Sequence, residues 1–120
     1  LTADKILGDF LLDKDISLLL RLAKSPSLWE RRIAIIATFA FIRQGRFQET
    51  FAVAELLMHD GHDLIHKAVG WMLREVGKRD QEAEEQLLLK YYTDMPRTML
   101  RYAIERFSPE KRKGYLMRER

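Results

Sequence analysis

The sequence predicts an all-α protein built as a stack of antiparallel helix pairs. Three observations support this. No segment alternates with period two, so no strand is predicted. Proline occurs only at Pro26, Pro96 and Pro109, each beside an expected boundary. Blocks of similar residues recur at a spacing of 34 to 35. Helices are expected at about 2–13, 15–25, 27–43, 46–60, 63–78, 80–92, 96–107 and 109–118, with ends good to ~2–4 residues.

The first helix, 2–13, carries its own packing residues, Ile6, Leu7, Phe10 and Leu11. The second ends before Pro26. The third begins with a capping box, Ser27 followed by Glu30. Nine of its ten residues from Ile33 to Ile42 are apolar, Thr38 being the exception, so the helix must be covered on most sides. The fourth lies between Gly45 and Gly61, placed where helix C-termini need a positive φ. In the fifth, Ile65, Ala68, Val69, Met72, Leu73 and Val76 form one apolar stripe. Lys67, Trp71, Arg74 and Lys78 fall on the opposite side. The sixth is capped by Asp80 ahead of a Glu-rich first turn, which suits the helix dipole. Pro96 opens the seventh. Ser108 and Pro109 make a cap and N1 pair for the eighth.

The alternate helices repeat. LWERRIAII at 28–36, LIHKAVGWM at 64–72 and MLRYAIERF at 99–107 align Arg32, Lys67 and Arg101. Helical pairs at this period predict a HEAT-like α-solenoid, with one helix of each pair lining a concave face. The 120 residues suit a single domain, 1–120. The chain begins at Leu1 and is helical almost at once, so it is expected to be the C-terminal part of a longer protein. An exposed helix 2–13 then offers a homodimer contact through Ile6, Leu7, Phe10 and Leu11.

Composition narrows the chemistry. The absence of cysteine excludes disulfides, thiolate metal sites and a cysteine nucleophile. No apolar run reaches bilayer length and no signal peptide precedes the first helix, so no membrane role and a cytoplasmic location are expected. The net charge is +3. From Arg97 onward eight basic residues face three acidic ones, a cationic patch on a nearly neutral body. A solvated helix end is the plainer explanation of that patch.

Arg32, Lys67 and Arg101, with Arg74, Lys78 and Arg97, are candidate phosphate contacts. The alternative is that each pairs with a carboxylate of the next repeat. Trp71 sits among cations rather than on the stripe, where an indole can stack on or press against something flat. Packing on a neighbouring helix is its alternative role. Trp29 is expected to pack against the preceding repeat. His59, His62 and His66 with Asp60 and Asp63 resemble a metal cluster, but Gly61 breaks the helix between them and no H-E-x-x-H is present. Capping and surface roles are expected there, with no metal and no cofactor. Carboxylates are scattered, with no convincing pair for acid–base work, and no P-loop or serine triad stands out.

LWERRIAIIATFAFIR and HDLIHKAVGWMLREVGKRD resemble the C-terminal half of the AlkD-like DNA alkylation repair proteins, and MPRTMLRYAIERF resembles the segment that follows. The resemblance covers nearly the whole chain. It implies a HEAT-like DNA glycosylase that releases N3- and N7-alkylated purines from duplex DNA without a cofactor. It also implies that the base is not flipped into a pocket, unlike most enzymes acting on bases. Trp71 matches the family's second active-site tryptophan and Arg32 its active-site arginine. Lys67, Arg74 and Arg101 match basic positions of the concave surface. The family's catalytic aspartate and first tryptophan belong to a W-D-x-V-D motif preceding a helix similar to KILGDFLL at 5–12. That motif is not in this chain, and Asp4 and Asp9 do not match it. The chain alone is therefore expected to be inactive. A non-catalytic HEAT-like module binding DNA or protein is the second reading.

Overall fold

A computed structural model of the chain describes residues 16–118. The expected helix 2–13, its packing residues and the homodimer contact built on them lie outside that range. The regular elements among the described residues are all helices, without a strand: α1 (Ser17–Ala23), α2 (Leu28–Ala37), α3 (Phe39–Arg43), α4 (Gln48–Leu57), α5 (Asp63–Arg79), α6 (Gln81–Tyr91), α7 (Arg97–Ala103) and α8 (Pro109–Arg118).

Local chemistry sets most boundaries. Ser27 Oγ accepts the Glu30 N–H at 3.4 Å, one half of the expected capping box. The Ser27 N–H itself donates to Ser25 Oγ at 3.0 Å instead. Asp80 Oδ1 accepts from Ala83 N at 3.1 Å, and Ser108 Oγ from Lys111 N at 3.3 Å. Gly45 has φ 77°. Around it Arg46 N donates to Phe41 O and Gly45 N to Ile42 O, both at 2.9 Å, closing the end of α3.

Two expectations need correction. The helix expected over 27–43 is two helices, broken at Thr38. This buried threonine donates its hydroxyl to Ile35 O at 2.6 Å, and its own N–H turns to the same carbonyl at 3.1 Å. A polar side chain in an apolar run must find a local acceptor, and the resulting three-residue turn interrupts the α ladder. Gly61 does not adopt positive φ. Helix α4 ends at Leu57, so Gly61 lies inside the following loop. There Asp60 Oδ1 accepts the His62 N–H at 2.9 Å and steers the chain into α5.

Helix α5 is the centre of the molecule, packing against α2, α3, α4, α6 and α7. All six stripe residues, Ile65 to Val76, are buried, as the periodicity predicts. Helix α7 approaches α5 at Gly70. A Cβ there would lie 2.5 Å from Tyr102 Cβ and 2.6 Å from Met99 O, so only glycine admits the contact. The helices carrying the aligned cations, α2, α5 and α7, pack in that order, α2 on α5 and α5 on α7. Helix α8 is tied to α6 through Glu85, which accepts from Tyr115 Oη at 2.7 Å and Lys111 Nζ at 2.8 Å.

Candidate nucleic-acid interface

On α5 the side opposite the buried stripe carries Lys67, Trp71 and Lys78. Trp71 is half-buried, with part of its ring against the core. Its Nε1–H donates to Glu75 Oε2 at 3.2 Å. Glu75 is only 8% exposed. Its Oε2 also accepts Lys78 Nζ at 3.2 Å, and its Oε1 accepts Arg79 Nη1 at 3.2 Å. Arg79 Nη1 further reaches the Glu75 carbonyl at 3.1 Å. One carboxylate thus gathers an indole and two cations from residues one turn away on the same helix. Sequence reading missed Glu75, although its spacing of four from Trp71 and from Arg79 is visible in the chain.

The sequence-selected cations divide into two groups. Among the described residues Lys67 pairs only with Asp63, 3.3 Å away and one turn back, with both groups in solvent. Such a pair costs little to break. Arg32, half-buried on α2, and Arg101, exposed on α7, make no ion pair among the described residues. Arg101 does not face α5. The residues that meet Gly70 are Met99, Tyr102 and Ala103. Arg101 lies roughly 160° round the helix from Met99 and Ala103. Arg74 and Arg97 have structural partners. The Arg74 side chain is 20% exposed and paired with Glu105, beyond α7. The Arg97 guanidinium donates to Leu116 O at 2.8 Å and so joins α7 to α8.

Trp29 is 63% exposed and does not pack as expected. The inward positions at this end of α2 are filled by Leu28, against the core, and by Arg31. Arg31 bonds Asp60 Oδ2 at 2.7 Å and the carbonyls of Ser25 and Pro26 at 3.1 and 3.0 Å. Two of the three histidines bond within the loop before α5 and its first turns. His62 Nδ1 accepts from Leu64 N at 3.1 Å and caps α5, one of the capping roles expected there, while His66 Nε2 bonds the Asp60 carbonyl. No cluster of three or more potential ligands exists among the described residues.

A second buried carboxylate lies nearby. Glu84 falls in line with Leu87 and Leu88 on the inner face of α6 and is fully buried. Its carboxyl rests on Gly77 of α5, where a Cβ would displace it. Neither oxygen has a hydrogen-bond partner among the described residues. Burial first, then the charge of Glu85, pushes its pKa up to about 9 against the opposing pull of Arg74. Glu84 is therefore a neutral acid at neutral pH. The Glu-rich first turn of α6 hides this in the sequence, but the 84, 87, 88 spacing marks it.

The sequence profile of the DNA alkylation repair enzyme family matches residues 1–107. The chain belongs to that family. No curated protein and no solved structure matches it. Membership gives this DNA alkylation repair family chain a setting for the α5 surface: a half-exposed tryptophan between lysines, on a helix whose opposite face is all core. No helix among the described residues is long and apolar enough to cross a membrane.

Proposed function

We propose that this chain is the DNA-holding, C-terminal part of a glycosylase that releases N3- and N7-alkylated purines from duplex DNA. The observation that carries the reading is Trp71 on the solvent side of α5, flanked by Lys67 and Lys78, in a chain of this family. An alkylated purine is cationic, so its glycosidic bond is already weakened. What the protein must add is a grip on the backbone and stabilisation of positive charge developing on the deoxyribose. The π face of Trp71 meets the electron-poor sugar. Arg32 acts beside it at the lesion. Lys67, Lys78 and Arg101 hold phosphates, and Arg74 and Arg97 join them only by leaving Glu105 and Leu116. No base enters a pocket and no cofactor takes part. The packing order α2, α5, α7 at a 34-to-35-residue period supports a HEAT-like solenoid with these helices as its inner row.

The carboxylate that positions water belongs to the W-D-x-V-D motif, which this chain lacks, so the 120-residue chain binds but does not excise. Release of 3-methyladenine or 7-methylguanine from alkylated duplex is the test. Robust excision by this chain contradicts the assignment of the acid to that motif. Arg32→Ala or Lys67→Ala is expected to lower the slope of log K against log salt by roughly one unit per lost phosphate contact. The internal pairing of Arg74 and Arg97 favours a second reading, a non-catalytic module with a protein partner. An unchanged salt slope in both variants selects it.

A further inference from the structure

We propose that Glu75 is a positioning residue that holds the Trp71 indole in place for DNA, an inference that rests on the function proposed above. An indole on a helix surface turns about two side-chain bonds. A bond at its Nε1 edge fixes both. Glu75 supplies that bond at 3.2 Å while itself nearly excluded from solvent. Lys78 and Arg79 fix the carboxylate in turn, one on each oxygen. All four residues lie between Trp71 and Arg79 on α5, so the arrangement depends on this helix rather than on the loops around it. It also explains why Glu75 is no substitute for the carboxylate missing from the chain. Oε2 is shared between Trp71 and Lys78 and Oε1 is taken by Arg79, and the carboxylate sits at the ring edge rather than over the ring face. It orients the tryptophan and takes no proton or water. The lysine and arginine held beside the ring gain a fixed place next to the sugar–phosphate backbone by the same bonds.

The two tryptophans make this measurable in the full 120-residue chain. The chain labelled with ¹⁵N gives two indole N–H resonances, one from exposed Trp29 and one from Trp71, assigned with Trp29→Phe. Glu75→Gln keeps an acceptor oxygen, and Glu75→Ala removes it. Lys78 and Arg79 reach water in either variant, so the fold is expected to persist, and unchanged backbone amide dispersion outside α5 checks this. Glu75→Ala is expected to move the Trp71 indole resonance toward the solvent-exposed position of Trp29 and to weaken duplex binding roughly fivefold, the weight of one hydrogen bond. Glu75→Gln is expected to leave the resonance in place and binding at least as tight. An unmoved indole in Glu75→Ala overturns the proposal, and so does an equal displacement in both variants. Failure of the unaltered chain to bind duplex DNA overturns the underlying functional reading instead, while the indole shift still reports the tether. Excision by the chain that disappears in Glu75→Gln overturns the positioning role in favour of a catalytic one.

Discussion

At Gly70 a single hydrogen decides whether two helices meet. Met99 O and Tyr102 Cβ belong to the backbone and the rigid base of a side chain, so neither swings aside for a methyl group. Gly70→Ala is expected to cost about 1–3 kcal/mol through overpacking. Urea unfolding reads this as a lower midpoint with an unchanged m-value. Gly77→Ala meets only the end of the Glu84 side chain and is expected to cost less. Equal losses at the two glycines would contradict the packing described. The residues of the α5 stripe were legible in the sequence because periodicity reports burial directly. Trp71 was legible as an outlier from that stripe. Glu75 was not, since a glutamate on a charged face looks solvated until its three donors are placed around it. Trp29 misled for the converse reason: its size suggests burial, but Leu28 and Arg31 occupy the inward places.

Among the elements, α6 carries the feature with the clearest pH signature. The folded state holds the Glu84 proton up to about pH 9, whereas the unfolded chain releases it near the ordinary carboxylate value of 4.5. Between those values the unfolded state binds fewer protons than the folded one, so stability falls as pH rises through that window. Thermal unfolding of the chain is expected to show a decline in Tm from pH 5 to pH 9. Glu84→Gln, neutral throughout and close in shape, is expected to flatten it. An identical decline in the variant would mean that Glu84 is solvated or paired. Element boundaries were readable wherever a side chain capped its own helix, as at Ser27, Asp80 and Ser108. The break at Thr38 was not. Its hydroxyl turns back onto Ile35 because the site is buried, and the elements packed on α2 and α3 include α4 and α5, far along the chain.

For the whole molecule, the helices that the repeat in the sequence aligns are in contact, α2 on α5 and α5 on α7, and they carry the aligned cations Arg32, Lys67 and Arg101. The repeat does not anticipate how each helix is rotated. The rotation of α7 is set by its seat on Gly70, which leaves Arg101 away from α5, and the ends of α7 draw Arg74 and Arg97 into internal bonds. The solvent-facing residues of α5 therefore hold the centre of the proposed DNA surface. Arg97→Ala is expected to lower the urea midpoint by loosening α8 while leaving the salt slope of duplex binding unchanged, and a reduced slope would place Arg97 among the phosphate contacts. The measurement that bears most directly on the central claim is the fluorescence of Trp71 in the Trp29→Phe chain, titrated with duplex DNA. The expected result is saturable quenching that reverses on adding salt and is abolished in Lys67→Ala/Lys78→Ala. Emission that ignores saturating duplex at low salt would contradict it.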